Sequence, residues 1–120
     1  MGPAIEGCGS ATLLASPATL STRGAFAVGA RTVAVGALTA EVWDPAPAAS
    51  AEGAPPARYD IRTALPATEA ANISDAGNPW QACDCVRDLP LDDAHGPYPV
   101  IVLVHGPAAF RPQSLALVTH

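Results

Sequence analysis

His105-Gly106-Pro107, closing the apolar run Val100, Ile101, Val102, Leu103 and Val104, is the stretch whose residue types and placement could do chemistry. A loop carrying the C-terminal end of a buried strand into a helix N-terminus is where open α/β sheets hold ligands, because unpaired backbone N–H groups point outward there. Pro107 brings no N–H to such a loop. Cys83-Asp84-Cys85 could supply half of a metal site, but nothing nearby provides the other two ligands that tetrahedral zinc needs. The alternatives are a disulfide from one of these cysteines to another part of the protein, which needs an oxidising compartment, and unpaired cysteines in a loop. Asp84, Asp88, Asp92 and Asp93 lack the D-x-D-x-D-G spacing of a calcium loop and read as a solvated acidic surface. Asn72-Ile73-Ser74 matches a glycosylation acceptor by chance in a chain of bacterial character.

The elements that must position the 105–107 loop can be read on either side of it. The run at 100–104 is continuous and mostly β-branched, the pattern of a strand buried on both faces. Pro97 and Pro99 suit the entry to that strand. Pro112 suits the first position of a helix carrying Ser114, Leu115, Leu117 and Val118.

Earlier in the chain, residues 26–45 read as a β-hairpin. Val33 and Val35 share one face, Leu38, Ala40 and Val42 alternate with Thr39, Glu41 and Trp43, and Gly36-Ala37 suits a two-residue II′ turn. Trp43 reads as a packing residue. Residues 45–58 are rich in Pro, Ala and Gly and form a surface loop. A short helix is expected over 65–73, followed by a long turn-rich connection over 74–96.

The segment YPVIVLVHG followed by AAFR resembles the third strand and following helix of α/β-hydrolases, in the branch of platelet-activating-factor acetylhydrolases and dienelactone-hydrolase-like esterases. Val42-Trp43-Asp44-Pro45 looks like the VWYP close of that family's second strand. The resemblance implies an α/β fold of which this chain is the N-terminal part: a β-hairpin, a long loop with a short helix, the buried third strand and the start of the next helix. It further implies a serine ester hydrolase acting on a small-molecule ester or lipid without a cofactor.

In that family the nucleophile sits in G-x-S-x-G and the triad follows in the order serine, acid, histidine. None of Ser10, Ser16, Ser21, Ser50, Ser74 or Ser114 lies in that pattern, and His95, His105 and His120 fall at positions that the order excludes. The expectation is therefore no triad residue here, only the oxyanion-loop half of the site: His105, Gly106, Pro107 and Ala108, with Phe110 and Arg111 as loop support. The implied amide donor is the residue after His-Gly, which is Pro107, so Ala108 must supply the donor through a shifted loop or the hole is incomplete.

Composition narrows the alternatives. The 120 residues carry a net charge of −5, with no lysine and a mean hydropathy of +0.22. The absence of a basic cluster argues against nucleic-acid or anionic-membrane binding by a basic patch, and no window reaches the run of about 18 apolar residues that a span needs. Abundant alanine and all-arginine basic residues read as the bias of a GC-rich bacterial genome.

Residues 1–24 read as a flexible leader lacking the basic region of a signal peptide, with 25–120 the N-terminal portion of one hydrolase domain cut at its C-terminus. Ile5-Glu6-Gly7-Cys8 loosely resembles a lipid-attachment site, so Cys8 is the candidate anchor of a secreted or envelope protein. The competing reading is a small noncatalytic envelope lipoprotein or binding module.

Overall fold

The computed structural model describes residues 24–107 and 109–119, so Cys8, Ala108, His120 and the expected leader up to residue 23 lie outside the described residues. In chain order the strands are β1 (Ala27–Val35), β2 (Leu38–Ala46), β3 (Arg58–Tyr59), β4 (Gln81–Ala82) and β5 (Val86–Arg87). The α-helices are α1 (Ala67–Ala70) and α2 (Leu115–Val118), and 3-10 turns cover Ala48–Ala51, Ile61–Ala64 and Arg111–Ser114. The described part thus combines a three-stranded mixed sheet, a two-stranded ladder and short helices.

The hairpin forms where alternation places it. β1 and β2 pair antiparallel from Ala27 opposite Ala46 to Val35 opposite Leu38. Gly36 takes φ +60° and Ala37 keeps a negative φ, the combination that a II′ turn requires at its two central positions. β5 then lies parallel to the other edge of β1, with Gly29 opposite Val86 and Ala30 opposite Arg87, so the order is β2-β1-β5. Asp88 adopts φ +56°, a conformation that aspartate tolerates better than most residues, and this turns the chain out of β5 while its N–H donates to Ala30 O at 3.0 Å.

Small residues make the close approaches. One cluster buries Ala30, Ala57, Tyr59, Cys83 and Cys85, with Val28, Trp43 and Leu115 packed against it. A second buries Ala27, Ala46 and Leu89. No large side chain is fully buried among the described residues, so each cluster contributes modest apolar burial.

Cys83 and Cys85 bond to each other, which resolves the alternatives of a distant partner, a metal site and free thiols. A bend at Asp84 brings their Cα atoms to 5.1 Å, within bridging range. In the chain-entropy picture a three-residue loop contributes only about 1.6 kcal/mol.

A buried carboxylate ties the two ladders together. Glu41 of β2, whose side chain is 2% exposed, accepts from Thr32 Oγ1 at 2.6 Å, from Tyr59 OH at 2.7 Å and from Arg87 Nη1. The Arg87 guanidinium also lies 4.8 Å over the Tyr59 ring. Glu41→Ala leaves the Tyr59 hydroxyl and Arg87 without their acceptor. With Arg87 partly solvated, the expected loss is about 2–3 kcal/mol in a urea titration, against a smaller loss for Glu41→Gln, which keeps an acceptor.

Two expectations need correction. The buried strand expected at residues 100–104 does not form: these residues pair with no neighbour, and exposure runs from 49% at Leu103 to 88% at Val104. A strand exists only as part of a ladder, and among the described residues no edge is offered to this run. The connection over 74–96, expected to be turn-rich throughout, also supplies the two short strands β4 and β5. The helix after residue 110 starts as expected around Pro112, but Pro112 itself is non-helical (φ −84°, ψ 17°), so the first turn is 3-10.

Candidate functional site

Residues 105–107 lie in solvent, whereas Ala109 and Phe110 are half-buried. His105 Nδ1 lies 2.9 Å from Gly106 O, a contact within the loop itself, and Ala109 N–H donates to Gly106 O at 3.1 Å. That bond closes a turn with Pro107 at its second position, where a fixed φ near −65° is favoured and a missing N–H costs nothing. Of the amides after Gly106, Pro107 has none and Ala109's is spent on the turn; Ala108 is outside the described residues. Phe110 is half-buried with extended backbone (φ −140°, ψ 159°) just before the 3-10 turn, and Arg111 is exposed. Ser114 stands at the head of α2 and Ser50 bonds to Pro47 O at 2.6 Å, neither of them in this loop.

The groups that the structure does bring together lie at Asp92, His95 and Tyr98. Asp92 is 5% exposed, which corrects the reading of the four aspartates as one solvated surface. Its backbone N–H donates to Pro45 O at 2.8 Å, fastening this turn to the end of β2. Its Oδ2 accepts from His95 N–H at 3.1 Å and from the Tyr98 hydroxyl, and lies 3.0 Å from His95 Nδ1. An ionised carboxylate only accepts, so Nδ1 carries the proton and the lone pair of neutral His95 is at Nε2. The His95 side chain is 62% exposed, and Phe26 meets both rings edge-on, at 5.5 Å for His95 and 6.0 Å for Tyr98.

This turn borders a groove of about 850 Å³ whose walls include Phe26, Val28, Trp43, Pro45 and Val118. An oriented imidazole beside an apolar groove can accept a proton or a hydrogen bond at Nε2. Thr119 is the one hydroxyl among the described lining residues, and it donates to Leu115 O at 2.8 Å rather than to His95. The signal in the sequence was Asp-x-x-His, the spacing at which an aspartate accepts from the amide three residues on.

The hydroxyl of Tyr98 and the carboxyl of Asp92 move in opposite directions. The Tyr98 hydroxyl, with a smaller contribution from His95, holds Asp92 below the usual carboxylate range. Loss of solvent, then the Asp92 charge, pushes Tyr98 up to about 12. Burial and then Glu41 push Tyr59 up as well. These are the two tyrosines of the chain. A phenol whose folded pKa is raised stabilises the fold fully below its unfolded value near 10 and loses that contribution as pH rises through the folded value. The folded chain is therefore expected to show no phenolate absorbance near pH 10. A phenolate step at that pH without loss of the far-ultraviolet dichroism would contradict the Tyr98–Asp92 and Tyr59–Glu41 bonds.

A third polar cluster is structural. Arg62 Nη2 meets Asp60 Oδ2 at 2.7 Å, Arg62 Nη1 meets Asp75 Oδ1 at 2.7 Å, and Asn78 Nδ2 donates to Asp60 Oδ1 at 2.8 Å. Together they fold the 60–78 segment around α1. The Arg62 partner, its side-chain bond first, lowers Asp60 to about 2. Among the described residues no group of three or more His, Cys, Asp or Glu could hold a metal, and no helix is long and apolar enough to cross a membrane.

Comparison with protein-family models, with curated proteins and with solved structures finds no match to this chain.

Proposed function

We propose that this chain is the N-terminal portion of a serine ester hydrolase of the α/β-hydrolase type, acting on a small-molecule ester or lipid. It carries the oxyanion-loop half of the site, and the catalytic triad lies in further residues of the same protein. The observation that carries the reading is the exposure of residues 100–104. Five consecutive apolar side chains in water are a surface that calls for cover, and their β-branched composition fits the centre of a parallel sheet with neighbours on both edges. The run delivers the chain into His105-Gly106, the turn at 106–109 and a proline-started helical segment, the order that the sequence resemblance implies.

In such an enzyme a serine attacks the ester carbonyl, and backbone N–H groups of this loop and of the residue after the serine hold the oxygen that becomes negative. The Cys83–Cys85 bond supports a secreted or envelope location, where disulfides persist; lipid attachment at Cys8 belongs to the same reading.

A serine-directed fluorophosphonate applied to the native source tests this. The polypeptide containing residues 24–119 is expected to carry the label on a serine within G-x-S-x-G, downstream of the residues described here. Recovery of that polypeptide unlabelled, in a preparation where other serine hydrolases label, overturns the enzyme reading. That result favours the noncatalytic binding module, for which the groove beside Asp92 and His95 is the supporting observation.

A further inference from the structure

We propose that the Cys83–Cys85 disulfide is a redox latch: closed, it holds the β3–β4 ladder onto the three-stranded sheet, and a thiol reductant opens it and frees that ladder. Three observations meet at this bond. The two cysteines clasp Ala57, the residue just before β3, since Cys83 N–H donates to Ala57 O at 3.0 Å and Ala57 N–H donates to Cys85 O at 2.7 Å. The bend at Asp84 thus wraps around the chain entering β3. The ladder it secures has two residues per strand, too few to persist without support, and that support is the buried cluster of Ala30, Ala57, Tyr59 and the two cysteines beside the Tyr59–Glu41 bond. Finally, Cys85 lines a cavity of about 180 Å³ bounded by Val28, Ala51, Pro56 and Val86, so the buried bond lies beside open space rather than in a filled core.

The position of the bond separates a latch from a staple of the whole fold. A disulfide that closes a long loop restrains the unfolded chain, whereas one spanning two residues restrains it little and acts on the local native geometry. Its loss should therefore be felt first in the clasp on Ala57 and in β3–β4, and least in the β1–β2 hairpin, whose nine paired positions include neither cysteine although Ala30, Val28 and Trp43 pack on them.

The chemistry is ordinary thiol–disulfide exchange with a dithiol. One thiolate attacks the Cys85 sulfur, the Cys83–Cys85 bond breaks, and Cys83 leaves as a thiolate that takes up a proton. The reductant's second thiolate then attacks the mixed disulfide, closing the reductant's own disulfide and releasing the Cys85 thiolate, which is protonated in turn. Two electrons pass from the dithiol to the protein pair.

The test uses the full chain at low concentration without denaturant, before and after dithiothreitol, with the gain of two hydrogens confirmed by mass. Hydrogen exchange is read by mass spectrometry on peptides covering 55–60, 81–87 and 27–46. Reduction is expected to speed exchange at Ala57 and Cys83 by about tenfold or more while the hairpin changes least, and reoxidation should restore the slow rates. The double variant Cys83→Ala/Cys85→Ala should show the fast pattern with or without reductant. If that variant does not fold, the reduction arm alone decides. Three results overturn the latch: no change in exchange after the bond is opened, equal acceleration across the hairpin, or a bond that cannot be opened without denaturant.

Discussion

In the full-length hydrolase proposed here, Pro107→Thr is expected to raise ester turnover by up to ~100-fold with little change in Michaelis constant, if no other amide serves the oxyanion. The resemblance assigns the loop donor to the residue after His105-Gly106, and proline there has no N–H to give. The structure adds that the amide of Ala109 already donates to Gly106 O, so it is not free to serve instead. Threonine restores a donor in the chain position that the family uses. Because the bond forms mainly to the developing negative charge, the gain should appear in kcat. If Ala108 already supplies the donor, Pro107→Thr should change little and Ala108→Pro should instead be the damaging substitution. Steady-state kinetics of the two variants on a short-chain p-nitrophenyl ester separate these outcomes, and full activity in both places the donor elsewhere.

Ile101→Lys should have opposite consequences in two settings. In the 120-residue chain Ile101 is exposed in an unpaired run, so lysine costs nothing in packing and stability should move by no more than about 0.5 kcal/mol. Aggregation, driven by five adjacent apolar side chains, should fall, because a charge within such a segment opposes its pairing with other copies. In the longer hydrolase proposed above the same residue would be buried in the sheet, and lysine there would place a charge where no partner awaits it. The expected result is loss of several kcal/mol and of soluble enzyme. Light scattering and thermal unfolding of the short chain, beside the soluble yield of the long one, check both halves. A short chain that Ile101→Lys unfolds would mean that the run is covered in solution by another copy, and a long chain that tolerates it would remove the main support for the hydrolase reading.

What the sequence determined by itself was local. Alternation in 31–43 and a glycine able to take positive φ specify a hairpin and its turn, since both depend on residues that are neighbours along the chain or across one tight bend. Pro112 locates the last helical segment to within a turn, since Arg111–Ser114 form a 3-10 turn and the α-helix begins at Leu115.

The tertiary structure decided whatever needed a partner from afar. Val86 and Arg87 carry no strand pattern of their own and became the third strand because the free edge of β1 at Gly29 and Ala30 pairs with them. Glu41 and Asp92 look like surface acids in the sequence. Each is buried because donors arrive from elsewhere: Arg87 and Tyr59 for the first, the 95–98 turn and the end of β2 for the second. The run at 100–104 shows the converse: residues of high strand propensity stayed unpaired, because a strand is completed by hydrogen bonds to another edge and composition cannot supply that edge.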